Sequence, residues 1–71
     1  MGINYFDTSE SYGHGEAERQ LGTALKSLNA NRQDLVVSTK IFWGSPDSKV
    51  NTIGTSRKHV LEGLNNSLKR L

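Results

Sequence analysis

The stretch Leu35-Val36-Val37-Ser38-Thr39-Lys40, LVVSTK, decides the fold. Its apolar run is continuous rather than alternating, and two of the three residues are β-branched. A run of that kind fits a strand buried on both faces, as in a parallel sheet covered by helices. About thirty residues upstream, the length of one βαβ unit, Ile3 to Phe6 (INYF) forms a second strand candidate, rich in β-formers and closed by polar residues. Between the two lies EAERQLGTALKSLN, with Ala17, Leu21, Ala24, Leu25 and Leu28 at helical spacing. Glu16 and Glu18 fall in its first turn, where negative charge suits the helix dipole. Gly22 inside it costs up to ~1 kcal/mol against Ala, which points to close packing against a neighbour.

Downstream, Gly44 to Gly54 reads as a loop rich in Gly, Ser, Pro, Asp and Asn. A last helix is expected from about Ser56, a suitable N-cap, although His59 holds the position where a capping box would place Glu or Gln. Val60, Leu61, Leu64, Leu68 and Leu71 mark its apolar face. The expected order is therefore β-α-β-loop-α, an α/β pattern.

Length sets limits on what this can be. The chain has 71 residues, and chains of that size bury only about 60% of their unfolded surface. There is no Cys, hence no disulfide framework and no thiolate metal site. His14 and His59 lack metal-ligand spacing. Apolar residues make up 34% of the chain, against roughly 45–50% (a figure that also counts Gly) for ordinary domains. Two parallel strands do not make a stable sheet unaided. The expectation is a piece of a larger α/β domain, a doubly wound sheet or an eight-fold barrel, with strands continuing on both sides. The end at Leu71, an apolar helical position without a C-cap, points the same way.

Charge and targeting signals exclude several classes. Nine basic residues stand against seven acidic ones, net +2, and they are dispersed. Nucleic-acid binding calls for a concentrated basic stripe, so no nucleic-acid partner is expected. No apolar run approaches the ~20 residues of a membrane span, and MGINYF lacks the features of a secretory signal. Met1-Gly2 opens as a myristoylation signal does, but position 6 is Phe where Ser or Thr is required. The expected compartment is cytoplasmic and reducing, with no membrane insertion.

The residues that carry chemistry cluster at strand ends. Asp7 follows the first strand and Lys40 the second, at the carboxyl edge where sites form in open sheets and barrels. Adjacent strands lie about 4.8 Å apart, so the two can pair. Tyr12 lies on the turn above them. A nearby ammonium favours a phenolate and lowers the tyrosine pKa from its usual value near 10, which makes the phenol a usable proton donor and acceptor. Each residue also has a plain structural reading: Asp as a turn cap, Tyr as a cover for a core edge, Lys as a solvated surface charge. GHGEAE, Gly13 to Glu18, begins like a dinucleotide fingerprint but places Glu18 where a small residue belongs, where it would crowd the helix–strand contact and repel phosphate, so it reads as a turn. In IFWG, Ile41 to Gly44, Trp43 is either loop packing or one wall of a substrate pocket.

Taken together, these segments resemble the aldo-keto reductase family. GINYFDTSESYGHGEAERQLGTAL, Gly2 to Leu25, is similar to the family's signature around its catalytic Asp and Tyr. VVSTK, Val36 to Lys40, resembles the strand that delivers its catalytic Lys. KIFWG followed by SRKHVLEGLNNSLKRL is closest to the branch of potassium-channel β subunits and their microbial reductase relatives. The resemblance implies a fragment of a (β/α)8 TIM barrel, with residues 1–71 forming roughly the second and third strand–helix units of an NADPH-dependent oxidoreductase domain that reduces carbonyl compounds. It implies Asp7 as the residue that orients Lys40 and approaches the nicotinamide ribose. Tyr12 would be the general acid, Lys40 the group that lowers its pKa, and Trp43 part of the substrate pocket. The family's fourth polar residue would lie beyond Leu71. Implied partners are a small carbonyl substrate and, in a full-length parent, a channel subunit or a second copy. A redox-sensing channel-β-like module is the alternative function. The isolated chain is expected to be inactive.

Overall fold

The computed structural model describes residues 2–44 and 50–71. Met1 and residues 45–49, in the first half of the expected loop, lie outside the described residues. Strand β1 spans Tyr5–Asp7 and β2 spans Val36–Ser38. They pair in parallel, with Tyr5 opposite Val36, Phe6 opposite Val37 and Asp7 opposite Ser38. Helix α1, Glu16–Ser27, forms the crossover, and helix α2, Arg57–Arg70, follows β2. Short 3-10 turns at Tyr12–Gly15 and Arg32–Asp34 complete the chain. The α/β order β-α-β-loop-α expected from the sequence is the one observed.

Local chemistry sets the element ends. The turn into α1 passes through left-handed backbone at Gly13, His14 and Gly15, with φ of 55°, 55° and 84°. Two of the three are glycines, which adopt such values without steric cost. Helix α1 stops at Asn29, also left-handed at φ 51°, a common helix terminator. Ser56 caps α2: its Oγ accepts from the His59 backbone N–H at 3.1 Å, as the sequence led us to expect. Lys69 and Arg70 sit in the last turn of α2, where cations suit the dipole.

Two glycines let the elements approach closely. A β-carbon on Gly22 of α1 would lie 2.9 Å from the Leu71 Cα at the end of α2. One on Gly63 of α2 would lie 2.8 Å from Ile41 Cγ2 and 3.0 Å from a Glu10 carboxylate oxygen. The expectation that Gly22 marks close packing is met by the end of α2.

The interior is polar. Among the described residues no apolar side chain is buried; the buried ones are Thr8, Ser9, Glu10, Glu18, His59 and Ser67. Successive strand residues point to opposite faces. Tyr5, Asp7, Val36 and Ser38 therefore share one sheet face, and Val37 and Thr39 lie on the other, beside the helices. The helix side retains an apolar cleft of about 460 Å³, bordered by Leu25, Leu35, Val37, Leu64, Leu68 and Leu71. On the opposite face Tyr5 and Val36 are 59% and 52% exposed. Burial of β2 on both faces, expected from its unbroken apolar run, is thus not reached in this chain: nothing among the described residues covers the Tyr5–Val36 face.

Candidate active site at the strand ends

The parallel ladder continues past the strands and aligns the site. The Thr8 N–H donates to the Ser38 carbonyl at 2.9 Å, and the Glu10 N–H to the Lys40 carbonyl at 3.1 Å. Asp7 and Lys40 are thereby brought to one edge on one face. The Lys40 ammonium donates to Asp7 Oδ2 at 2.5 Å and to the Thr8 carbonyl at 2.8 Å. Ser38 Oγ donates to Asp7 Oδ1, also at 2.5 Å. A hydroxyl has one proton to give, so the Tyr5 hydroxyl, 3.3 Å from Ser38 Oγ, is the donor there. A single polar chain thus runs Tyr5–Ser38–Asp7–Lys40 along the open face.

The electrostatics follow from these contacts. Hydrogen bonding from Lys40, and after it from Ser38, holds the Asp7 carboxyl below the ordinary carboxylate value. The hydrogen bond to Asp7 is the main reason that the Lys40 ammonium is held above its ordinary value, with Tyr12 adding in the same direction. Both side chains remain about half exposed, so the pair is open to a ligand and screened by water.

Tyr12 opens the 3-10 turn after β1. Its ring lies beside the ammonium, with Lys40 Nζ 5.1 Å from the ring centroid. Ser9 pins this turn: its carbonyl accepts from the Tyr12 N–H at 3.3 Å, and its Oγ lies 3.2 Å from Ser11 Oγ. The structure therefore places Asp7, Tyr12 and Lys40 together. Trp43, three residues after Lys40, is 69% exposed and packs edge-to-face on Phe42, with ring centroids 4.7 Å apart.

Behind the open face stand two buried carboxylates: Glu10, which the sequence reading passed over, and Glu18, which it placed in the first turn of the helix without its partners. Glu10 Oε1 accepts from the Phe42 N–H, the Gly44 N–H and His59 Nε2, each at 2.9 Å. Glu18 accepts from Thr39 Oγ1 at 2.6 Å and pairs with Arg70 Nε. Glu18 does not crowd the helix–strand contact; it makes that contact, joining α1, the end of β2 and α2. Burial, the largest single influence on Glu18, opposes its ionisation; hydrogen bonds from Thr39, Arg70 and Ser67 together outweigh it, and the carboxyl lies below its ordinary value. Ser38 was legible by parity, two residues before Lys40 on the same strand face. Glu10 and Glu18 were not, because their partners lie 21 to 52 residues away in sequence. The described residues hold no cluster suited to a metal ion and no helix long and apolar enough to cross a membrane.

This arrangement can hold an ammonium beside a phenol at an accessible strand edge. The family model described as "Aldo/keto reductase family" matches residues 1–71. The chain belongs to the aldo/keto reductase family. A "Putative voltage-gated potassium channel subunit beta" from Schizosaccharomyces pombe is 51% identical over 71 residues. That alignment covers 100% of this chain and 21% of the relative. A "Probable voltage-gated potassium channel subunit beta" from Arabidopsis thaliana is 51% identical over 70 residues, covering 99% and 21%. A protein of the same description from Oryza sativa subsp. japonica is 51% identical over 72 residues, with the same coverage. This aldo/keto reductase chain therefore spans about a fifth of the length of these relatives, and the branch suggested by KIFWG and SRKHVLEGLNNSLKRL is the one they represent.

Proposed function

We propose that residues 1–71 are the second and third strand–helix units of a (β/α)8 barrel that reduces aldehydes or ketones with NADPH. The observation that carries this reading is the Asp7–Lys40 pair, 2.5 Å apart at neighbouring parallel strand ends, with the Tyr12 ring beside the ammonium. In a barrel the C-terminal strand ends are where catalytic groups stand. The uncovered Tyr5–Val36 face would then look into the barrel, and further strands would continue the sheet on both sides.

The donor set suits the reactive end of the cofactor. Asp7 is a half-exposed carboxylate, able to accept from a ribose hydroxyl near the nicotinamide. The turn at residues 13–18 carries two acidic residues and is no phosphate cradle. NADPH, when bound, supplies the hydride. The work of this chain's residues is proton transfer. The Tyr12 hydroxyl gives its proton to the carbonyl oxygen as charge develops there, which yields the alcohol. Lys40 favours the phenolate left behind. Asp7, bonded to Ser38, holds Lys40 in place and charged. Trp43 presents an apolar wall to the substrate. The compartment that fits is the cytoplasm.

The names of the relatives favour a second reading: a channel-associated β-type module in which the same site senses redox state, with a channel subunit or a second copy as partner. The experiment that tests the first is a graft, with residues 1–71 replacing the matching segment of the fission-yeast relative. The graft should oxidise NADPH in the presence of a simple aromatic aldehyde. Tyr12→Phe should lower kcat roughly 10²–10⁴-fold, the usual span for a lost general acid, while NADPH binding, read by fluorescence titration, stays unchanged. An unchanged kcat removes Tyr12 from the chemistry. A graft that binds NADPH and reduces nothing moves weight to the regulatory reading.

A further inference from the structure

The Glu10–His59 cluster is the part of the molecule that the reductase reading does not use, and its geometry has a definite consequence. Glu10 is 2% exposed and His59 is 4% exposed. Three donors converge on one oxygen, Glu10 Oε1: two backbone N–H groups from the loop at 42 and 44, and His59 Nε2 from α2. A carboxylate only accepts, so Nε2 carries the proton. The loop between the two backbone donors contains a single residue, Trp43. Its ends are thus tied to one buried atom while its own side chain stays in solvent. Gly44 sits at φ 81°, the left-handed value that turns its N–H back toward the same oxygen as Phe42. The other side of the carboxylate is closed by α2 at Gly63, where a β-carbon would come within 3.0 Å of Oε2 and 2.8 Å of Ile41. Glu10 in turn is fixed to the strand edge through its own N–H on the Lys40 carbonyl at 3.1 Å. Loop, strand end and helix therefore share one anchor, and Trp43 lies on the loop that it ties, three residues after Lys40.

We propose that Glu10, backed by His59, is a positioning residue that holds loop 41–44 and so fixes Trp43 at the mouth of the Lys40 site, where it selects substrates by their apolar part. The selection half of this rests on the reductase reading; the clamp itself does not. A buried acceptor that loses its side chain leaves two backbone N–H groups and an imidazole N–H without a partner, and unsatisfied buried donors are costly enough to make the loop move. An amide in place of the carboxylate keeps an acceptor oxygen for those donors.

The clamp closes entirely among the described residues, and Trp43 is the single tryptophan of the chain, so in the grafted barrel, with the relative's own tryptophans outside the graft replaced by phenylalanine, its fluorescence reads the loop directly. Acrylamide quenching of Trp43 should rise in Glu10→Ala and in His59→Ala and stay near the parent in Glu10→Gln. Equal quenching in the parent and Glu10→Ala, whatever the helix content, overturns the clamp. In the grafted barrel, Glu10→Ala should raise KM for a bulky aromatic aldehyde several-fold more than for a small aliphatic one. Its kcat and NADPH affinity should stay within about twofold, and Glu10→Gln should restore the difference between the aldehydes. Equal KM changes for both aldehydes, or a loss confined to kcat, overturns the selection role. If the parent graft reduces no carbonyl, the reductase reading fails and the selection role with it, while the quenching result still decides the clamp.

Discussion

At the scale of single residues, the site is a relay of hydrogen bonds whose members differ in how they could be found. Asp7 and Lys40 stand where strand ends meet polar residues, so position alone nominated them. Ser38 was available by the same parity, yet a serine inside a strand carries no chemical signal until its hydroxyl is seen on Asp7. The relay makes a prediction about Lys40. Because Asp7 is the main reason that this ammonium titrates above its ordinary value of 10.5, Asp7→Asn should lower its pKa. A larger fraction of Lys40 is then neutral at alkaline pH and open to acylation. In the grafted barrel, mass-spectrometric mapping of a limited acylation should show Lys40 labelled several-fold faster in Asp7→Asn than in the parent. Ser38→Ala, which removes only a bond to Asp7, should give a smaller rise. Labelling that does not change in Asp7→Asn would mean that Asp7 does not control this ammonium.

At the scale of elements, the helices and strands were legible because their signals are local. The 3.6-residue spacing of α1, the Ser56 cap of α2 and the β-branched run of β2 each act within a few residues. What could not be read were the contacts that the helices make with other elements, since Glu18 meets Thr39 and Arg70 only once the crossover has folded back. Gly22 is the exception, a local oddity that foretold a distant contact. A helix interior gains up to ~1 kcal/mol from Gly→Ala, and a crowded contact loses about 1–3 kcal/mol. The atoms that a β-carbon on Gly22 would strike include the Leu71 Cα, 2.9 Å away. Backbone cannot swing aside as a side-chain tip can. Gly22→Ala should therefore destabilise, by about 1–2 kcal/mol net, and thermal unfolding of the grafted barrel should fall accordingly. The exposed neighbour Thr23→Ala should instead be neutral or slightly stabilising. A Gly22→Ala variant as stable as the parent would show that α2 does not close on α1.

At the scale of the whole molecule, polar anchors hold together a chain whose apolar faces are still open, and that gives its stability a definite pH dependence. The Glu18 carboxyl is fully buried and its Arg70 partner nearly so, and the folded-state pKa of Glu18 lies below its ordinary value of 4.5. The sign follows from linkage. Above 4.5 Glu18 is ionised whether folded or unfolded, and its ionic bonds contribute in full. As pH falls through the lower folded value the carboxyl takes up a proton and that contribution disappears. Asp7, also depressed, adds in the same direction. The grafted barrel should accordingly lose melting temperature on acidification, and part of the loss should belong to Glu18. Glu18→Gln should destabilise by about 3 kcal/mol at neutral pH, because it leaves Arg70 beside a neutral amide. The double variant Glu18→Met, Arg70→Met should recover most of this, since replacing a buried ion pair by apolar groups of similar volume is often neutral or stabilising. It should also flatten the acid slope. If Glu18→Gln melts with the parent at neutral pH, the pair does not join the helices to the strand end. If the double variant keeps the full acid slope, the titrating groups lie elsewhere and the Glu18 site is not the acid-sensitive anchor of this unit.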